Sequence, residues 1–401
     1  MKEVVIAGYL RTAQSRSRPN DPARDWFCRM RADELVARLL PELIKRTGID
    51  AAEIDDFLLG CATGVGEQWS YGGRLPLLLA NLPATISAKS IDQQCGSAMA
   101  AIQIGYLEIA QDFADIVLVG GMEHMTRIPM GEPILDRGLI APNLSLFLDP
   151  SYQHWDMMTT TNMGLTAEKL FAQTDFTRED LDRWGARSHQ RAAQAEGFFA
   201  GEILPIQAEQ ADGTLMTVNK DQAVRTDVTL EGMAALKPVF KEDGVITAGN
   251  SSPLNAGATS MLLMSKETAH EKGIKPLATI RAIGFAGVDP TIMGTGPVPA
   301  SQKALAKVGL RAADIDFWEI NEAFSIVTLN CIRELGIDPE RVNVMGGGTA
   351  IGHPLGATGV RLTGTLARIL QAKGGRYGCA NACVGGGQGV ATIIEREAYD
   401  W

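Results

Sequence analysis

Histidine is scarce in this chain: five residues in 401, at positions 124, 154, 189, 270 and 353, with no H-x-x-x-H spacing and no histidine–carboxylate cluster. That removes the usual ligand patterns of zinc enzymes, and no metal is expected. The six cysteines (28, 61, 95, 331, 379, 383) stand singly apart from one C-x-x-x-C, so neither a zinc ribbon nor a disulfide framework is present. A reducing cytoplasm is the simplest setting. Basic charge is in deficit, 37 Lys and Arg against 47 Asp and Glu for a net −10. A nucleic-acid binder needs the opposite balance, and an anionic ligand here needs a local basic patch. Long apolar runs are missing too: stretches such as Leu75–Ala80 fall well short of the roughly 20 residues of a membrane span. The opening Met1-Lys-Glu-Val-Val-Ile-Ala reads as a first strand, without a signal-peptide apolar region.

What the chain does have is an internal echo. Gly48-Ile-Asp-Ala-Ala-Glu-Ile-Asp55 returns as Gly309-Leu-Arg-Ala-Ala-Asp-Ile-Asp316, from 48 to 309 at an offset of 261. A second echo sets Ile116-Val-Leu-Val-Gly-Gly121 against Ala380-Asn-Ala-Cys-Val-Gly-Gly386, each an apolar strand running into paired glycines. A repeat of this kind predicts a duplicated core. Length and 45% hydrophobic content suit two or three domains.

Strand-like runs at 4–8, 56–60 and 116–119 alternate with helical patterns near 32–47 and 97–111. The second copy has strands at 277–283, 317–320 and 377–380 with helices near 300–308, 323–335 and 356–373. This is the pattern of a largely parallel, helix-covered α/β sheet. Each half closes on one more strand, 260–264 and 390–394. In the first half about 130 residues, Glu123 to Ser252, intervene before that strand, an insertion with a capping box at Thr177-Arg-Glu-Asp180. The halves are expected at 1–122 plus 253–275 and at 276–401, with 123–252 as an inserted domain. A long insertion at the carboxyl end of a strand is where α/β folds place substrate-binding elements.

Three segments offer chemistry. Cys95, in Gln94-Cys-Gly-Ser97, stands where an extended run gives way to a small-residue helix. It is either a buried structural thiol or a nucleophile whose pKa the helix end lowers, beside N–H groups able to hold an oxyanion. His353 sits in Gly346-Gly-Gly-Thr-Ala-Ile-Gly-His-Pro-Leu-Gly-Ala-Thr-Gly359, a glycine loop without the Lys of a phosphate loop, and reads as a structural histidine or a general base. Cys383, in Asn381-Ala-Cys-Val-Gly-Gly-Gly-Gln-Gly389, is a second thiol at a strand end. Asn321-Glu-Ala-Phe324 adds an amide and a carboxylate; alone, Asn321 reads as an N-cap. Two thiols and one histidine together suggest acyl transfer followed by proton transfer.

These segments, with Leu10-Arg-Thr12, Gly120-Gly-Met-Glu-His-Met125, Met163-Gly-Leu-Thr-Ala-Glu168, Thr247-Ala-Gly-Asn-Ser-Ser252 and Met293-Gly-Thr-Gly-Pro-Val-Pro299, make the whole chain resemble the thiolases, and within them the degradative 3-ketoacyl-CoA type. The resemblance implies a duplicated βαβαβαββ fold, five-layered α-β-α-β-α, with an inserted loop domain that holds coenzyme A. It implies Cys95 as nucleophile and His353 as its activator, the latter forming one oxyanion hole with a water held by Asn321. Cys383 would be the acid–base on the acetyl methyl carbon, and the N–H groups of Cys95 and Gly385 a second oxyanion hole. Arg225 and Leu236 would meet the nucleotide and Ser252 the pantetheine, while Met163 and Phe324 line the acyl tunnel. Taken alone, these five read equally well as surface, loop and core residues.

No permanently bound cofactor is implied, only coenzyme A as co-substrate. The implied assembly is a homodimer or tetramer, and some family members dock onto a β-oxidation partner carrying hydratase and dehydrogenase activities. Asn162 stands where biosynthetic acetoacetyl-CoA thiolases carry His before Met-Gly, which shifts the expectation toward longer acyl chains. Gly-Gly-Gly-Thr at 346–349 replaces the more usual Gly-Gly-Ala-Ile. The competing readings are a biosynthetic acetoacetyl-CoA thiolase and a non-catalytic acyl-CoA-binding subunit of the same fold.

Overall fold

The computed structural model describes residues 1–397; the last four residues of the expected second half lie outside the described residues. The first half runs β1 (Val4–Arg11), α1 (Ala32–Thr47), β2 (Asp56–Gly60), α2 (Arg74–Leu79), β3 (Ser87–Ile91), α3 (Ser97–Ala110), β4 (Ile116–His124) and β5 (Asn255–Ser265). Its strand order is β1-β5-β4-β2-β3, with β4-β2-β3 parallel and β5 antiparallel to β4 and β1. The chain between β4 and β5 contains α4 (Met163–Phe171), α5 (Arg178–Gln194) and a small separate hairpin.

The second half repeats the plan: β6 (Ala278–Gly287), α6 (Pro297–Val308), β7 (Phe317–Ile320), α7 (Ser325–Leu335), α8 (Leu355–Lys373), β8 (Tyr377–Val384) and β9 (Gln388–Arg396). Here β7 is parallel to β8, and β9 is antiparallel to both β8 and β6. The counterpart of β3 has shrunk to one parallel bridge, Trp318 to Val342. Two residue pairs between β1 and β6, Val5 with Thr279 and Ile6 with Ala278, join the half-sheets edge to edge.

Register confirms the duplication more sharply than composition does. Asp56 faces Val117 across β2 and β4, and Phe317 faces Gly378 across β7 and β8, every position displaced by 261. The Asp55 carboxylate accepts the N–H groups of Asp115 and Ile116 at 2.7 and 3.1 Å. Asp316 does the same for Arg376 and Tyr377 at 2.7 and 3.0 Å. One expectation fails here. At this offset Gly120 and Gly121 correspond to Asn381 and Ala382, so they are not the equivalents of Gly385 and Gly386, which lie in the turn between β8 and β9.

Both faces of the inner strands are covered, so β1, β2, β4 and β5 are buried along their whole length, whereas the edge strand β3 (Ser-Ala-Lys-Ser-Ile) is largely exposed. On β1, Val4 and Ile6 join the central cluster with Met99, Ile102, Val360 and Leu366, while Val5 and Ala7 join an outer cluster with Leu35 and Leu39 of α1. On the far side, Ala300 and Ala304 of α6 pack with Trp318, Cys379 and Ile393. The layers are therefore α1, first half-sheet, α3 with α8, second half-sheet, α6. The two central helices meet backbone to backbone: a β-carbon at Gly359 would stand 2.5 Å from the Met99 nitrogen, which no side chain tolerates.

Candidate functional site

Cys95 sits in a 3-10 turn, Gln94–Gly96, immediately before α3. Gln94 takes a positive φ of 46°, an uncommon conformation for a residue other than glycine. The turn is pinned: Asp92 Oδ1 accepts the Gln94 N–H at 2.8 Å, and Ser97 Oγ donates to the Gln94 carbonyl at 2.6 Å while accepting the Gln93 N–H at 2.9 Å. The thiol is 6% exposed. Burial pushes it up to about 11 despite hydrogen bonds from the backbone N–H groups of Gly385 and Cys95 itself. The expectation that the helix end would lower this pKa is overturned, because desolvation of a thiolate outweighs a few backbone dipoles.

His353 precedes α8 as Cys95 precedes α3. Its tautomer follows from its neighbours. Thr358 Oγ1 spends its proton on the Pro354 carbonyl at 2.8 Å, so at 2.6 Å it accepts from His353 Nδ1–H. Nε2 then carries the lone pair, and Asn321 Nδ2 donates to it at 3.2 Å. Burial, reinforced by the Arg361 guanidinium, drives His353 down to about 3. The imidazole is therefore neutral near pH 7 and able to take a proton. Asn321 does not cap a helix; Phe324 occupies the N-cap position of α7, and Asn321 Oδ1 is buried with no partner, the position at which a water would be held.

Cys383 lies on β8, opposite Gly389 of β9, fully buried. Its pKa is raised by burial and by the neighbouring Cys95 and Cys331 thiols. The two candidate thiols are thus close enough across the seam for the charge of one to be felt by the other. A β-carbon at Gly96 would lie 3.0 Å from Val384 Cγ2, and one at Gly385 3.4 Å from Met163 Sδ and 3.9 Å from Gln94 Cβ. Asn321 joins the group through its N–H, which donates to the Asn381 carbonyl at 2.9 Å. Met163 and Phe324 pack with Cys383, Met293 and Val327 in one cluster, and Phe240 meets Phe324 edge-on with ring centroids 6.1 Å apart. Asn162 caps α4, accepting the Leu165 N–H at 3.2 Å.

The cofactor expectations divide. Arg225 and Leu236 both line a cavity of about 210 Å³ together with Arg16, His189, Met233 and Thr349. Ser252 is not in its wall; its N–H donates to the Ala323 carbonyl at 2.9 Å, next to the wall residue Pro253. Arg16 is held down at about 10 by burial and by the Arg18, Arg225 and Arg24 charges, so cations crowd this face of an acidic protein. His189, whose Nδ1 accepts the Arg225 N–H at 3.2 Å, is lowered to about 4 by burial and by the Arg225 and Arg16 charges. Sequence reasoning missed Arg16, His189 and Thr358. No spacing signal marks them, since Arg16 and His189 meet only through folding of the insertion onto the first half.

Among the described residues no group of three or more His, Cys, Asp or Glu side chains could hold a metal ion, and no helix is long and apolar enough to cross a membrane.

A duplicated α/β fold with a thiol–imidazole seam between its halves defines a class, the duplicated α/β acyltransferases. Residues 4–267 match the family described as thiolase, N-terminal domain, and residues 274–396 that described as thiolase, C-terminal domain. The chain belongs to the thiolase family. It is 41% identical over 403 residues to a 3-ketoacyl-CoA thiolase of Vibrio vulnificus (strain YJ016), covering 99% of this chain and 100% of the relative. It is 40% identical over 402 residues to one of Marinobacter nauticus, covering 98% of each. Among solved structures, the acetyl-CoA acetyltransferase of Bacillus anthracis superposes with a TM-score of 0.86 at 37% identity, covering 99% of both chains.

Proposed function

We propose that this chain is a 3-ketoacyl-CoA thiolase, cleaving a 3-ketoacyl-CoA with coenzyme A to acetyl-CoA and a shortened acyl-CoA, as in fatty acid β-oxidation. The observation that carries the reading is the pairing of a buried neutral thiol, Cys95, with a second buried thiol, Cys383, beside an imidazole whose lone pair is held at Nε2.

In the first half-reaction the Cys95 sulfur attacks the 3-keto carbon as its proton passes to His353, and the oxyanion is held by Nε2–H and a water on Asn321. The C2–C3 bond breaks. Its electron pair enters the thioester as an enolate held by the N–H groups of Cys95 and Gly385, and Cys383 protonates the carbon to release acetyl-CoA. In the second, the coenzyme A thiol gives its proton to the Cys383 thiolate and attacks the Cys95 thioester, and the departing Cys95 sulfur takes its proton back from His353 as the shortened acyl-CoA is released. Enolate, base and nucleophile each need a fixed partner, and these residues supply all three. In the second half-reaction thioester replaces thioester, a nearly isoenergetic transfer, and the two half-reactions through Cys95 make the reaction ping-pong and reversible.

Coenzyme A enters as co-substrate. Arg225, with Leu236, fits its nucleotide, Ser252 its pantetheine arm, and Met163 with Phe324 the acyl chain. A cytoplasmic homodimer or tetramer, in a family of which some members dock onto a partner carrying hydratase and dehydrogenase activities, completes the reading.

A biosynthetic acetoacetyl-CoA thiolase is the second reading, favoured by the close superposition on an acetyl-CoA acetyltransferase. Thiolysis rates across 3-ketoacyl-CoA chain lengths decide between them. Rates that rise beyond four carbons support the degradative reading; rates confined to acetoacetyl-CoA select the biosynthetic one. No thiolysis at any length sinks both and leaves the non-catalytic acyl-CoA-binding subunit.

A further inference from the structure

The loop that carries His353 is held at both ends by buried carboxylates that take no part in the chemistry above. Upstream, Glu322 Oε2 accepts the Thr349 N–H at 3.1 Å and the Ser188 hydroxyl at 2.6 Å, while Oε1 accepts Trp184 Nε1 at 2.9 Å and Asn343 Nδ2 at 2.7 Å. Downstream, Glu123 Oε2 accepts the Gly356 N–H and the Ala62 N–H, both at 3.0 Å, and Oε1 accepts Gln68 Nε2 at 2.5 Å. Between these ends the His353 N–H donates to Asn255 Oδ1 at 2.8 Å.

The three anchors tie the loop to the rest of the molecule. Glu123, next to last in β4, and Asn255, first in β5, belong to the first half, whereas Glu322, just after β7 in the second half, binds the loop to Trp184 and Ser188 of α5 in the insertion. Glu123 also supplies the cap that α8 lacks, since its N-cap residue Pro354 offers no side-chain acceptor. Glycine at 347 is required for the upstream anchor: a β-carbon there would stand 2.6 Å from Glu322 Oε1.

We propose that Glu123 and Glu322 are positioning residues for His353, clamping its loop to the Cys95-bearing half and to the insertion respectively. This rests on the reading above in which His353 acts on Cys95. Every partner of either carboxylate donates, an arrangement that favours the ionised form and at Glu123 opposes the burial that raises it to about 7, and glutamine would turn an NH₂ toward N–H groups. The clamp sets the imidazole's placement, and a displacement of about 1 Å at a reacting group can cost on the order of 100-fold in rate.

The test is a double-mutant cycle read as the rate at which iodoacetamide alkylates Cys95, followed by peptide mass mapping, together with kcat and KM for coenzyme A. Glu123→Gln and Glu322→Gln should each slow alkylation and kcat by roughly 10- to 100-fold while the Glu123→Gln KM stays within about twofold. In a His353→Ala background the same changes should add little, because the group they position is gone. Losses that multiply in that background, or single variants that alkylate at the wild-type rate, overturn the clamp. A normal alkylation rate in His353→Ala alone overturns the underlying reading instead. Where one glutamine variant fails to fold, the other carries the cycle.

Discussion

The two halves are built to one register yet face the seam with different chemistry. Asp55 and Asp316 bind equivalent pairs of backbone N–H groups, and the β2–β4 pairing recurs as β7–β8 with both strands displaced by 261. At the helix starts that meet in the middle, the first half presents Cys95 and the second His353, and the second adds Cys383 and Asn321 from β8 and the end of β7. The scaffold is thus fixed by hydrogen bonds at the outer ends of the strands, away from the seam. The seam loop that carries His353 is instead held by contacts that cross between the halves, Glu123 to Gly356 and Asn255 to His353.

Burial raises the buried thiols Cys95, Cys331, Cys379 and Cys383 alike. What sets Cys95 apart is its partners: the backbone N–H groups of Gly385 and of Cys95 itself oppose the burial, which leaves it at about 11.

The largest expected effect is at Cys95: Cys95→Ala should remove thiolysis by 10⁴-fold or more, on the order seen when a nucleophile is deleted from a catalytic constellation. Persistence of an acyl-enzyme on any other cysteine breaks the division between the halves. Next, His353→Ala should lower kcat by about 100- to 10,000-fold, the span ascribed to a general base. A loss confined to KM would place the imidazole in binding only.

A pH series sharpens the contrast. Cys95 is raised from its ordinary 9.0 to about 11, so the folded protein holds a proton that a free thiol has already released between those values. Alkylation of Cys95 in the empty protein should therefore climb with pH beyond 9 and level off near 11. A plateau already reached at neutral pH would mean a resting thiolate–imidazolium pair, contrary to the neutral His353 described above. Arg225→Ala should raise KM for coenzyme A about tenfold at unchanged kcat, loss of one charged hydrogen bond being worth roughly 1.5–3 kcal/mol. An equal fall in kcat would tie the cavity to the chemical step.

The smallest effect tests the repeat. Asp55→Ala and Asp316→Ala should each lower unfolding free energy in urea by about 1–2 kcal/mol, by similar amounts, with activity intact. A large difference between them would show that the equivalence is one of shape and not of energy.

Much of this was legible in the sequence. The octapeptide repeat forecast the duplication, glycine-bearing stretches leading into helices singled out Cys95 and His353, and a glycine run at a strand end singled out Cys383. What was not legible is long-range. The paired glycines 120–121 and 385–386 look alike in composition, but only strand register shows that Asn381 and Ala382 occupy the equivalent places. The pKa of Cys95 was misjudged because a helix start is visible in a sequence and the depth of its burial is not. Glu123 reaches Gly356 across 233 positions and Glu322 reaches Trp184 across 138, so neither clamp leaves a local pattern.

The most direct test of the division of labour is acetylation in deuterated water. Wild-type protein and Cys383→Ala are incubated with acetyl-CoA, and both the modified peptide and deuterium in the acetyl methyl group are read by mass spectrometry. The account predicts acetyl on the Cys95 peptide in both proteins and methyl exchange in the wild type alone. Acetyl on another residue, or exchange that survives the loss of Cys383, would contradict it.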